Sequence, residues 1–142
     1  MPAFPLHELL AGILFLGIPL FGMVAGMLVT HMFIPRYALL GLTGVDLFMP
    51  ALTYVFGISH LGGRRGIVSW FRLHPDGKGP DAASVLVRRI TTEVVHESGH
   101  AMGLVHCVVP DCAMHRSLWP EGVDLKRPDY CPACLATLNA SL

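Results

Sequence analysis

Apolar positions change their rhythm twice along this 142-residue chain. From Leu9 to Ile34 they run for 26 residues without an Asp, Glu, Lys or Arg, longer than the about 20 that a helix needs to cross a hydrocarbon core. Pro19 and the glycines at 12, 17, 22 and 26 weaken a helix in water but are tolerated in lipid. The pattern then breaks into short runs closed by turn residues. Tyr37 to Leu42, Leu52 to Ile58 and Gly66 to Leu73 predict three strands, the last two rich in β-branched and aromatic residues. Ser59 to Gly66, with Gly62 and Gly63, reads as the loop between them. From Ala82 to about Met102 the period becomes helical. Val85, Leu86, Ile90 and Val94, with Val87, form one apolar stripe, and Asp81 stands at the N-cap. Past Cys107, prolines at 110, 120, 128 and 132 predict a loop-rich segment, closed by a helical turn over Leu135 to Leu138.

Charge follows the same division. The hydrophobic fraction is 53% and the mean hydropathy +0.56, but the excess is local, because Glu8 is the only charged residue before Arg36. Residues 1–35 are therefore expected to be an apolar N-terminal helix spanning a membrane through residues 9–34. Residues 36–142 would form one small α+β domain. Positive charge begins on the C-terminal side of the apolar run, which places that domain in the cytoplasm. The alternative is a soluble cytoplasmic protein in which the apolar run is a buried element. A net charge of zero offers no surface for nucleic acid. Arg64-Arg65 and Arg88-Arg89 read as solvated faces.

The chemistry is concentrated between His96 and Cys134. His96 and His100 stand at i and i+4, one turn apart on one helix face, so both imidazoles can reach one ion. His106 requires a sharp turn first, for which Gly103 is suited. Three neutral nitrogens leave a fourth zinc position open, as in catalytic sites. Glu97 adjoins the first ligand, where it can take a proton from water. The remaining histidines, at 7, 31, 60, 74 and 115, lack ligand spacing. Cys107, Cys112, Cys131 and Cys134 could form two disulfides or one metal site. The CxxC clip, the neighbouring histidines and a reducing compartment favour metal.

HExxHxxGxxH with a later methionine is the metzincin signature. The continuation, with Cys107, Cys112, Met114 and then Cys131-x-x-Cys134, resembles the archaemetzincin family. The resemblance extends upstream through GLTGVDLFMP, YVFG and GIVSWFRL, from roughly Ala38 to the C-terminus. It implies a zincin fold, with a small twisted mixed sheet, a long active-site helix and a zinc-clipped C-terminal part. It also implies two zinc ions, a catalytic one on His96, His100 and His106 and a structural one on the four cysteines. Met114 would be the Met-turn residue beneath the histidines. The strand over Gly66 to Leu73 would be the sheet edge above the zinc, where an extended peptide can pair. Gly99 would let the sheet or substrate approach the ion. The chain departs from the family in lacking a recognisable strand–helix unit at its start and one residue between Met114 and Cys131. The expected activity is zinc-dependent hydrolysis of a peptide or protein substrate, with Glu97 as general base. The alternatives are a non-catalytic zinc-binding interaction module and a disulfide-stabilised exported protein.

Overall fold

Among the described residues the longest helix, α1 (Ala82–Ala101), packs against strands of the sheet and the segment that follows it. The computed structural model describes residues 38–140 apart from positions 51 and 78. The expected membrane segment, residues 9–34, lies outside them. Among the described residues no helix is long and apolar enough to cross a membrane.

Five short strands precede α1 among the described residues: β1 (Leu39–Thr43), β2 (Leu47–Met49), β3 (Leu52–Val55), β4 (Gly57–His60) and β5 (Arg65–Ser69). One sheet has the order β1-β5-β4. β1 runs parallel to β5, with Leu40 opposite Gly66, and β4 runs antiparallel to it, with Ile58 opposite Ile67. The expected mixed sheet is therefore present, but its edge is not where the sequence placed it. The Gly66 to Leu73 run supplies the central strand, and among the described residues the edges are β1 and β4. The cause lies in the Leu52 to Ile58 run, which divides at Phe56. Its first half, β3, pairs with β2 as a separate antiparallel hairpin. Phe56 turns inward, 6% exposed, into a cluster with Leu73 and Val123, and only its second half continues as β4. Ser69 then ends β5, its hydroxyl donating to Val45 O at 2.6 Å.

Sheet and helix are joined end to end. The last carbonyls of a helix lack intrahelical partners, and here the β4–β5 turn supplies two. Gly62 N donates to His100 O and Arg64 N to Ala101 O, each at 2.9 Å. The turn requires left-handed backbone at Gly62 (φ 68°) and, unusually for a side-chain-bearing residue, at Arg64 (φ 58°). At the other end Asp81 is the N-cap residue, yet its side chain makes no capping bond.

The buried face of α1 is more polar than its sequence suggested. Arg89, Thr92, Glu93, His96 and Glu97 are buried, while Val87 is 63% exposed. Arg89 corrects the reading of Arg88-Arg89 as a solvated pair. It is 4% exposed and donates to Leu73 O at 3.1 Å and to both carboxylate oxygens of Asp124 at 3.0 and 2.7 Å. Asp124 ends the short helix α2 (Pro120–Asp124), and the closing turn proves to be a full helix, α3 (Pro132–Ala140).

Arg89→Ala is expected to lower stability by about 3 kcal/mol, because it removes the donors to Leu73 O and Asp124 Oδ2 and leaves the carboxylate only its more exposed partner Arg88. Arg88→Ala, at a side chain 44% exposed, should cost below about 1 kcal/mol. Urea denaturation of the two variants checks the difference.

Candidate metal and active site

The C-terminus of α1 ends in a complete glycine cap. Gly103 has φ 101°, its N–H donates to His100 O at 2.9 Å, and Leu104 N–H donates to Gly99 O at 2.8 Å. This pair of bonds is the Schellman motif, which satisfies the last carbonyls while reversing the chain. It brings His106 back over the helix. The three imidazoles of His96, His100 and His106 then converge, with ligand nitrogens all within 4.8 Å of one another.

Backbone carbonyls set the imidazole tautomers. His96 Nδ1 lies 2.7 Å from Ala113 O and His100 Nδ1 lies 2.8 Å from Leu104 O. A carbonyl oxygen only accepts, so each Nδ1 carries the hydrogen and each Nε2 presents a lone pair. The two Nε2 atoms face each other at 3.1 Å, a juxtaposition that a cation satisfies and that two neutral rings leave repulsive. Burial holds His96 down to about 3 and His106 down to about 4, and lowers His100 as well. All three are thus held neutral, the form a metal needs. Glu97 moves the other way. Burial first, then the nearby Glu93 carboxyl, raises it to about 7 against the opposing Ser59 and Lys126. Its Oε2 is buried without a hydrogen-bond partner, so the site holds one carboxylate oxygen ready for a water. The edge strand reaches this carboxylate at Gly57, where any Cβ would meet Glu97 Oε1 at 2.6 Å.

The four cysteine sulfurs also lie within 4.8 Å of one another. Cys107 and Cys131 are 3.7 Å apart and Cys112 and Cys134 3.9 Å, all four being free thiols. Backbone amides already point at them: Cys131 N–H at Cys112 Sγ, 3.3 Å, and Val109 N–H at Cys107 Sγ, 3.4 Å. The Cys134 amide is the largest influence holding the Cys131 thiol down to about 7. Both the histidine and the cysteine donor sets therefore fit a zinc ion, the second as a closed tetrahedral site.

Residues 24–140 match the sequence model of peptidase family M54. The chain belongs to that family. The match begins earlier than the Ala38 boundary of the resemblance read from motifs. The chain is 40% identical over 106 residues to the archaemetzincin of Pyrococcus horikoshii, covering 74% of this chain and 56% of that one. With the archaemetzincin of Methanocaldococcus jannaschii it shares 42% identity over 101 residues, covering 70% and 56%. The crystal structure of the Methanopyrus kandleri archaemetzincin superposes with a TM-score of 0.67 at 38% identity, covering 73% of this chain and 55% of that one. A zinc-dependent peptidase from Methanocorpusculum labreanum does so at 0.67 and 37%, covering 73% and 55%. The domain thus has an archaemetzincin-like α+β fold, and the chain spans about half the length of the relatives it matches.

In this M54 domain Met114 is fully buried in a cluster with Leu104 and three of the cysteines, Cys112, Cys131 and Cys134. Gly99 serves that methionine rather than the sheet or a substrate, which corrects the expectation. A Cβ at Gly99 would collide with Met114 Sδ and approach Tyr130 to 3.2 Å. Three participants escaped the motif reading: Gly57, Glu93 and Lys126. Glu93 carried a readable signal, since it lies three residues before His96 and four before Glu97 on the same face. Lys126 carried none.

The metal-free domain should keep His96 neutral, with its hydrogen on Nδ1, from pH 7 to below pH 5. Long-range proton–nitrogen NMR correlations read this directly, and a midpoint near 6.5 would contradict it. An unfolded His96 titrates near 6.5, so the folded chain binds fewer protons between there and about 3. The folded state consequently loses stability as pH falls through that window.

Proposed function

We propose that this domain is a zinc-dependent peptidase that hydrolyses an internal or terminal peptide bond of an extended substrate. The observation that carries the reading is the set of converging imidazoles beside the buried, unpartnered Oε2 of Glu97. A structural site has no use for a spare carboxylate oxygen. Likeness to the zinc-dependent peptidase of Methanocorpusculum labreanum supports the same class of chemistry.

His96, His100 and His106 would hold the catalytic zinc, and Cys107, Cys112, Cys131 and Cys134 the structural one. When bound, the catalytic ion supplies Lewis acidity towards water and the scissile carbonyl oxygen. Glu97 accepts the proton of the attacking water and returns it to the amine that leaves. Its low-dielectric surroundings favour that exchange by bringing its affinity for protons near neutrality, and a neighbouring cation draws it back towards the ionised form needed first. β4 has β5 on one side and no strand on the other among the described residues. Its free amides and carbonyls can receive an extended peptide as an added strand, and Gly57 keeps that strand close to Glu97. Met114 packs under the histidines as an apolar floor.

Elemental analysis of the reduced full chain should find two zinc ions, and the His100→Ala chain one. Retention of both ions by His100→Ala would mean that the histidines bind none of them. Glu97→Gln is expected to keep both ions and lose about 10²–10⁴-fold in the cleavage of a quenched fluorescent peptide library. Undiminished cleavage by that variant would remove Glu97 from the chemistry. Two bound ions with no cleavage by the wild type would leave the non-catalytic zinc-binding module as the better reading.

A further inference from the structure

Beside the histidines lies a buried ion pair that enters the proposed chemistry only through its field at Glu97. Lys126 Nζ is 2.9 Å from Glu93 Oε1, with side-chain exposures of 1% and 5%. The same Nζ donates to His115 O at 3.2 Å. Lys126 ranks low among residues expected to be buried, and a pair this deep is weak evidence for stability, since apolar replacements often do as well. A positional role accounts for it better.

His115 ends a stretch of three consecutive residues whose carbonyls each hold something. Ala113 O accepts from His96 Nδ1 at 2.7 Å. Met114 O accepts from the backbone N–H of Cys107 at 2.9 Å, the residue directly after His106. His115 O accepts from Lys126. His115 adds a second tie to the same place, its Nδ1 donating to Cys107 O at 3.0 Å. The stretch is thus pinned to α1 at both ends: at Ala113 by His96 and at His115 by Glu93 through Lys126. Its middle fixes the junction between the third imidazole and the first thiolate. Slippage at the His115 end would turn the Ala113 carbonyl away from His96 and carry Cys107, and with it His106, off their positions.

We propose that Lys126, anchored by Glu93, is a positioning residue that fixes the Ala113–His115 stretch and thereby the geometry of the histidine metal site. The proposal rests on the reading above that this site takes zinc. Lys126 touches neither substrate nor ion; it acts through His115 and Cys107.

The test uses the full chain in three forms: wild type, Lys126→Met, and the double variant Glu93→Leu with Lys126→Met. Folding is followed by circular dichroism, zinc affinity at the histidine site by competition with a chelating dye, and site geometry by the visible absorption of the cobalt-substituted protein. Lys126→Met should weaken zinc binding at the histidines by about 10–100-fold, the loss typical of removing an orienting partner, and change the cobalt bands. If the unpaired Glu93 prevents that chain from folding, the double variant carries the test, because it leaves no charge buried alone. It should recover the wild-type melting midpoint while keeping the weakened affinity and the altered cobalt spectrum. A double variant with wild-type affinity and spectrum would overturn the proposal and leave the pair a structural one. Wild-type protein that takes no zinc or cobalt at the histidines would instead overturn the peptidase reading on which the proposal stands.

Discussion

The domain depends on satisfying a polar helix face in a dry interior. Over its last three turns α1 buries Thr92, Glu93, His96, Glu97 and Gly99, where an ordinary surface helix would bury leucines and valines. Each polar group there costs several kcal/mol of desolvation if left alone, on the order of 2–7 for a neutral one. The fold answers them individually. Thr92 bonds back to Arg88 O, Glu93 takes Lys126, and His96 takes Ala113 O. On this face the remaining unmet atom is Glu97 Oε2. That the orphan falls on the one residue suited to handle a proton makes the burial pattern a functional statement as well as an energetic one.

Much of this was legible in the residues. The histidine spacing and Gly103 predicted both the helix and its reversal, because 3.6-residue periodicity and positive φ are local properties. The CxxC clip and the upstream cysteines likewise announced a cluster. What failed to show was everything set by partners far away in sequence. The edge strand was misassigned because Phe56 interrupts an apparently continuous β run only when Leu73 and Val123 are there to receive it. Arg89 looked like half of an exposed basic pair until Asp124, 35 positions later, buried it. Lys126 sits in a charged, proline-bearing stretch that any pattern would make solvent-facing. Gly99 was noticed, yet the sulfur it accommodates comes from Met114, and only packing could say so.

Among the described residues the two donor clusters take up much of the buried interior. Fully inaccessible large side chains are few among those residues, Leu73, Met114, Val68 and Val123 being four of them, and the cysteines form the centre of one of the two apolar clusters found there. A region with so little oil and so many prolines gains cohesion from cross-links, and bound metal contributes directly to folding in such cases.

The orientation of the histidines is written in main-chain atoms. Ala113 and Met114 act through their carbonyls, while His115 adds its imidazole, which donates to Cys107 O. A carbonyl is the same whatever side chain its residue bears. Position 113 could drift through several small residues and still hold His96 in the same tautomer. At Ala113 and Leu104, where a carbonyl alone meets the imidazole, the shell that sets these tautomers is therefore almost silent in sequence. Evolutionary change would register instead at the few positions where a side chain, or its absence, does the holding, such as Gly57 beside Glu97 and Gly99 above Met114.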